Sequence, residues 1–477
     1  MATDASTLAG AKVAIPEAEL EELRAQIRGS VMTPDDPGYG DVREVFNAMH
    51  ESRPDVIVTC VGTADVVDAV NFAREHGMVL AVRGGGHSIA GLSSIEGGML
   101  LDLAPMNGVI VDPELQVAHV QGGALWGDAD REAQTFGLVT PGGVVSDTGV
   151  AGLTLGGGYG WVRRKHGLSS DNLLEAQVVC ADGQVRTASA DENPDLYWAI
   201  RGGGGNFGVV TAFRFKLHPL GPIVGFVGAV YPIEEVAEVL RGWRSYVSEA
   251  PDEVTSVCVT ITFPAAPDFP EVVHDRAVAV IGGVYVGDAD EGMKVMQPLR
   301  ELGTLLMDMS QPMPFTAVQT AFDPFFPRNT LRAYWKSQYL AELSDEAIDV
   351  IADRAQDRPA PLTLVNTFHM GGAITKVDPE ATAFSEREAP FMVSIDGMWD
   401  DAADDEARVA WVRSTWNEIG KFGTGGVYLN FTGIADEELT AGVDSALGRN
   451  LRRLAEVKAK YDPENFFRVN NNILPAN

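Results

Sequence analysis

Four stretches of the 477-residue chain are rich in glycine: Arg83 to His87, Gly142 to Gly160 (GGVVSDTGVAGLTLGGGYG), Arg201 to Gly208 (RGGGGNFG) and the shorter Gly371-Gly372. Tight glycine turns leave backbone N–H groups free and let the chain approach a ligand without Cβ atoms. Several such loops together would hold a diphosphate without basic side chains, which points to a dinucleotide. The two common nucleotide motifs are missing. Gly156-Gly157-Gly158-Tyr159-Gly160 lacks the strand, spacing and later acidic residue of the Rossmann fingerprint, and no Lys-Ser/Thr closes a P-loop. The nucleotide site is therefore of another kind. His87 directly follows Gly84-Gly85-Gly86, where a reactive ring and a turn-capping side chain are both compatible with the spacing. His119, His166 and His218 lack metal-ligand spacing and neighbouring carboxylates, so no metal is expected.

The elements that must position these loops follow from periodicity. Pro16 to Arg28 has helical spacing; Val56 to Thr59, an amphipathic helix from Thr63 (as its cap) to Glu75, and Val79 to Arg83 form a βαβ unit that delivers the first glycine loop. Strands are expected at Gly98 to Leu103, Val109 to Val111, Val117 to Gln121, Gln177 to Cys180 and Val209 to Leu217. Pro219-Leu220-Gly221-Pro222 breaks this pattern. Beyond it come strands at Ile223 to Tyr231, Ser256 to Phe263, Ala277 to Val286, Pro361 to Met370 and Phe391 to Met398, with a helix at Glu234 to Ser248, consistent with one antiparallel sheet covered by helices. The expected domains are 1–218, with the tail 431–477 returning to it, and 219–430.

At this length one core does not usually suffice, and a 45% hydrophobic, 22% charged composition is that of a globular protein. Thirty-six basic against 67 acidic residues give a net charge of −31, which repels polyanions and removes nucleic acid from the expected partners. Cys60, Cys180 and Cys258 sit in apolar, strand-like contexts and read as buried free thiols. The N-terminus lacks a basic and then apolar leader pattern, and no run of about 18 uncharged apolar residues occurs, so a cytoplasmic protein with no membrane partner is expected.

Taken in order, these motifs resemble the berberine-bridge-enzyme-like FAD-linked oxidases of the vanillyl-alcohol-oxidase superfamily. Arg83-Gly84-Gly85-Gly86-His87-Ser88 is similar to the loop whose His carries the 8α-linkage to the flavin. Ser146-Asp147-Thr148-Gly149 with Gly152 and Gly156 to Gly160 resembles the second FAD loop. Asp171-Asn172-Leu173 and Trp198 to Gly208 resemble stretches that complete the cradle. Tyr334-Trp335-Lys336-Ser337 and Tyr428-Leu429-Asn430-Phe431 are similar to substrate-domain signatures, and Tyr461-Asp462-Pro463 to Ile473 to the FAD-contacting tail.

The resemblance implies an α+β fold: a two-subdomain FAD-binding domain of the vanillyl-alcohol-oxidase type with a PCMH-type site, plus an antiparallel-sheet substrate domain. It implies FAD bound by Arg83, Gly84, Gly85, Gly86, His87 (covalently), Ser88, Gly122, Val145, Ser146, Thr148, Gly149, Gly152, Gly156, Gly157, Gly160, Asn206, Gly208, Val209, Tyr428, Asn430, Asn470 and Asn472. Members with a second link carry Cys eleven residues before the GGGxG run, where this chain has Val145, so a single link is expected. Lys376 stands where plant members carry their Glu base. The base is then expected to be Tyr428, with Lys376 as the cation that lowers its pKa. Gly122 is expected to admit oxygen. The implied activity is oxidation of an alcohol (a sugar, secondary alcohol or natural-product hydroxyl) by hydride transfer to flavin N5, with reoxidation by O2. The alternatives are a dehydrogenase with another acceptor, an oxidative cyclase or amine oxidase, and a flavin-carrying binding protein without turnover. His369 reads as a satisfied strand residue in preference to a substrate-facing polar one, and Glu386-Arg387-Glu388 as a solvated charge run, although Arg387 matches the F-x-x-R pattern of the family that the chain resembles.

Overall fold

A computed structural model describes residues 3–433 and 444–476; residues 434–443 and 477 of the expected tail lie outside the described residues. The βαβ unit forms a four-stranded sheet in the order Ser30–Met32, Val56–Thr59, Met99–Asp102, Leu80–Arg83, the last three parallel. Its strands are apolar runs because the helix Thr63–Glu75 and other elements cover them. That helix is capped by Gly62 and not by Thr63, whose hydroxyl is instead 2.7 Å from Gln177 Oε1. A second, five-stranded antiparallel sheet follows, in the order Val185–Ser189, Leu173–Val179, Val209–Lys216, Val117–Gln121, Val109–Asp112. The first glycine loop leaves the end of Leu80–Arg83, and Arg201 to Gly208 leads into Val209–Lys216.

The large sheet has eight antiparallel strands. Its main path runs Met307–Asp308, Ile223–Pro232, Ala277–Tyr285, Val254–Thr262, Leu364–His369, Phe391–Trp399, Arg332–Leu340, and Gln311–Pro314 pairs with the second of these. Helices Val236–Val247, Asp345–Gln356 and Asp405–Ile419 cover one face through Trp243, Ile351 and Val412. The other face looks toward the glycine loops. Because both faces are covered, all nine residues of Phe391–Trp399 are buried. The strand Arg332–Leu340 was not expected from the sequence; Arg332 and Lys336 interrupt its apolar character. Their charges are met from a distance, Arg332 by Asp405 (2.6 Å) and Lys336 by the ring of Trp416 (4.2 Å).

The C-terminal helix Leu451–Tyr461 packs with Trp198, Phe207 and Leu217 of the first half. Fully buried Lys458 anchors it, donating to Asp462 Oδ2 (2.6 Å), Asn206 O (2.7 Å) and Phe467 O (2.9 Å). The three cysteines are buried and free. Arg387 overturns the reading of residues 386–388 as a solvated run. It is buried and makes a two-pronged pair with Asp171 (2.7 and 3.1 Å), and it also donates to Thr382. Removing one partner of a buried pair leaves an uncompensated charge. Arg387→Met is therefore expected to cost about 3–5 kcal/mol in urea unfolding, and adding Asp171→Asn to return a large part of that loss.

Candidate functional site

One cavity of about 320 Å³ collects most of the expected residues: Gly84, Gly85, Gly86, His87, Ser88, Val145, Thr148, Gly149, Gly152, Gly208, Val209, Tyr428, Asn430 and Asn470 all line it. Strand Leu80–Arg83 delivers the first loop to it. Among the described residues, the N–H groups of Gly85 to Ala90 donate to no protein acceptor, so the loop presents a row of unpaired donors. Gly152 and Gly205 have open space where a Cβ would stand, and the buried side-chain oxygen of Asn470 has no protein partner. Free donors, cradles a side chain would fill and orphaned amides fit a nucleotide-sized polar group.

His87 is held on two sides. Its ring stacks on Phe46 with centroids 3.9 Å apart, and its Nε2 lies 3.1 Å from Asp147 Oδ1. Arg328 in turn clamps Asp147, donating to its carbonyl (3.2 Å) and carboxylate (3.4 Å), and also donates to Gly85 O. Burial pushes the Asp147 carboxyl up, but the hydrogen bond from His87 and the Arg328 charge outweigh it and hold it below the ordinary carboxylate value. A carboxylate only accepts, so Nε2 carries the proton, and in the neutral ring the lone pair is on Nδ1.

Other expected residues support the cavity from behind. Arg83 pairs with Asp102 at 2.8 Å. Ser146 donates its N–H and hydroxyl to Asp323 (2.9 and 2.5 Å). A Cβ at Gly156 would stand 2.1 Å from Asn430 Oδ1, one at Gly157 2.6 Å from Phe384, and one at Gly160 2.5 Å from Gly142 O, so these glycines serve close packing of protein against protein. Asn206 ties the tail down through Asn471 O (3.0 Å) and the N–H of Ile473 (2.9 Å). Asn472 lies outside the cavity lining, and its side-chain oxygen has no protein partner.

Two expectations fail. Gly122 does not line the cavity; it is glycine because a Cβ would meet Val210 O at 2.3 Å, so packing explains it and an oxygen gate does not. Lys376 is exposed on a 3₁₀ turn, paired with Asp252 at 2.5 Å, and is no neighbour of Tyr428. Tyr428 lies at the start of the 3₁₀ turn Leu429–Phe431. Its hydroxyl accepts from Asn430 Nδ2 (2.8 Å) and Gly158 N (3.2 Å), and its ring packs on Tyr159 and Phe431. Burial nevertheless pushes the phenol well above its ordinary value, which leaves it a poor base.

The titratable group that sequence reasoning missed is Asp396. It projects from Phe391–Trp399 into the same cavity, accepting from Asn366 Nδ2 (2.7 Å) and from the Ser394 hydroxyl. Burial pushes its carboxyl up to about 7 against those two hydrogen bonds. The only signal was its place in the alternation Met392, Ser394, Asp396 of an otherwise apolar strand, and alternation alone does not say which face holds the cavity. His369 is a buried strand residue on the opposite face from Asn366, packed beside Trp243.

Residues 54–189 match the family described as FAD binding domain, and residues 427–474 match the one described as berberine and berberine like. The FAD-linked oxidoreductase YgaK of Bacillus subtilis is 31% identical over 95% of this chain and 98% of its own. (R)-6-hydroxynicotine oxidase of Paenarthrobacter nicotinovorans is 30% identical over 94% of this chain and 97% of its own. The crystal structure of 6-hydroxy-D-nicotine oxidase from Arthrobacter nicotinovorans superposes with a TM-score of 0.83 at 28% identity, covering 94% of this chain and 98% of that one. Xylooligosaccharide oxidase from Myceliophthora thermophila, at 23% identity and a TM-score of 0.82 over 96% and 99%, shares the fold.

The geometry around Lys376 has a direct consequence. An exposed ion pair contributes little, so Lys376→Met is expected to shift stability by less than about 0.5 kcal/mol in thermal unfolding and to leave the yield of flavin-loaded protein unchanged.

Proposed function

The chain belongs to the berberine-bridge-enzyme-like FAD-linked oxidoreductases, and from that premise we propose that it is an oxidase with FAD singly attached to His87, converting an alcohol to a carbonyl compound with O2 as acceptor. The observation that carries this reading is the single cavity whose walls hold His87, the row of free N–H donors and a buried carboxylate, Asp396. The bound FAD supplies a two-electron acceptor at N5 and returns the pair to O2 as hydrogen peroxide.

The chain's own residues supply the rest. The N–H row of Gly85 to Ala90 would hold phosphate oxygens, and His87 Nδ1 would attach at the 8α-carbon, where one C–H hydrogen leaves as a proton and the flavin takes up the electron pair for O2 to remove. Asp147 fixes the tautomer that leaves Nδ1 free, and Arg328 keeps Asp147 ionised and in place. Val145 lines the cavity where a second thiol link would need Cys, and the three cysteines of the chain lie elsewhere, which supports one link. Asp396 takes the hydroxyl proton as the C–H bond gives up its hydride, and a carboxyl poised at about 7 suits that role at neutral pH. Tyr428, whose oxygen already accepts two hydrogen bonds, keeps its proton and orients the substrate oxygen as a donor. The oxidase named among the relatives supports O2 as acceptor.

Anaerobic mixing with alcohols tests the reading directly: bleaching of the flavin and, in air, stoichiometric hydrogen peroxide are expected, and peroxide-free turnover of an artificial acceptor would reject the oxidase. Yellow flavin is expected to stay with the acid-denatured polypeptide and to be released wholly from His87→Ala. Asp147→Asn is expected to slow attachment at least about tenfold when apoprotein is loaded with FAD. The base must be ionised to work, so the rate of flavin reduction is expected to rise with pH through about 7 and level off above it. Asp396→Asn should flatten that limb and lower the rate about 10²- to 10⁴-fold.

A further inference from the structure

Alternate residues of neighbouring strands share one face of a sheet, and the face of the large sheet that meets the cavity is apolar except around Asn366, Ser394 and Asp396. Val257, Val259 and Ile261 come from one strand, and Leu364 and Phe368 from the next, in register with Val257 opposite Phe368. Aromatic rings close the remaining sides. Phe322 stacks on Trp161 at 5.5 Å, and Trp335 meets Phe326 edge-on at 5.9 Å and Phe431 at 5.3 Å. The polar atoms on this side are few, and the charged one among them is Asp396. Asp396 and Asn366 form one acceptor pair, because Asn366 gives its amide hydrogen to Asp396 and keeps its oxygen free. That oxygen, Trp335 Nε1, Trp161 Nε1 and Tyr159 Oη have no protein partner, although their residues line the cavity and are only 2% to 5% exposed.

A sugar presents a hydroxyl on nearly every ring carbon, and each one buried against Val, Ile, Leu or Phe forfeits about 1–3 kcal/mol of hydration. An aryl or polycyclic body gains about 25 cal/mol per Å² against the same walls, and favourable ring contacts besides. Resting on the oxidase reading above, we propose that the substrate half of this cavity takes an apolar, ring-bearing alcohol with a single hydroxyl at the reacting carbon, received by the Asp396–Asn366 pair, and excludes mono- and oligosaccharides. In the step itself the substrate loses one C–H hydrogen with its electron pair to FAD and its O–H hydrogen as a proton to Asp396. A C=O bond forms, and O2 takes the two electrons and two protons as H2O2. Phe325, on the cavity wall and half-buried, is a specificity residue that touches the body and not the hydroxyl.

The test uses flavin-loaded protein with 2-naphthylmethanol, cinnamyl alcohol, glucose and cellobiose. Binding is read from perturbation of the oxidised flavin spectrum and turnover from anaerobic bleaching. The aryl alcohols are expected to bind at least 100-fold more tightly than either sugar and to bleach the flavin. Phe325→Ala should raise KM for naphthylmethanol about tenfold with kcat within twofold, while its thermal midpoint and flavin content match the parent. Binding or bleaching by glucose or cellobiose at concentrations like those of the aryl alcohols overturns the proposal, as does a Phe325→Ala variant with unchanged KM. Tight binding of aryl alcohols without bleaching supports the apolar body but overturns the oxidase reading, so the two failures are distinguishable.

Discussion

The structure depends on two loops that touch backbone to backbone. A Cβ on Gly85 would stand 2.4 Å from Gly149 Cα, and one on Gly149 would stand 2.5 Å from Gly85 N, so neither position tolerates a side chain. This contact sets the register between two segments about 60 residues apart. Asp147 lies two residues before Gly149 and His87 two residues after Gly85, and the crossing brings their side chains within hydrogen-bond distance. The Arg328 bonds to Gly85 O and Asp147 O close the same junction from the second half of the chain. Orientation of the His87 ring is thus a consequence of glycine packing and not of the histidine's own turn.

The second half adds a wall. An antiparallel sheet usually leaves one face to water, but here helices take one face and the glycine-loop half takes the other. A carboxyl on the inner face is then desolvated whatever its neighbours, and Asp396 keeps only Asn366 and Ser394 as compensation. The same enclosure raises the phenol of Tyr428 further from neutrality, since burial acts on both groups in the direction of the uncharged form.

What the sequence revealed follows from how local each signal is. The helix Thr63–Glu75 and the strands Val56–Thr59 and Ile223–Pro232 are legible because their periodicity is decided by nearby residues. The glycine loops are legible because close approach requires that residue type. Arg387, Lys376 and the strand Arg332–Leu340 are not legible, for a common reason: each charge is decided by a partner far along the chain. Asp171, 216 residues away, draws Arg387 into the interior, while Asp252 holds Lys376 on the surface, 124 residues from itself. Gly122 shows the converse error, a small residue read as an opening to a ligand when a neighbouring strand's carbonyl already fills the space.

The choice between phenol and carboxylate as proton acceptor is decided by charge balance and not by position, since both line the cavity. A phenol works as a base near neutral pH only if a cation stabilises the phenolate, and the cation expected for that purpose is tied to Asp252 at the surface. The nearest such charge that the ring contacts reveal is Arg163, which lies 5.7 Å from the centre of Tyr159 and is spent on the carbonyls of Gly160, Ser256 and His369. Asp396 needs no cation, because burial moves a carboxyl upward into the neutral range where a phenol is moved out of it. On the proposed reading, the desolvation that keeps the Tyr428 phenol protonated is the same one that raises the Asp396 carboxyl, so the carboxylate is the better placed of the two to take a proton and the tyrosine hydroxyl to donate one.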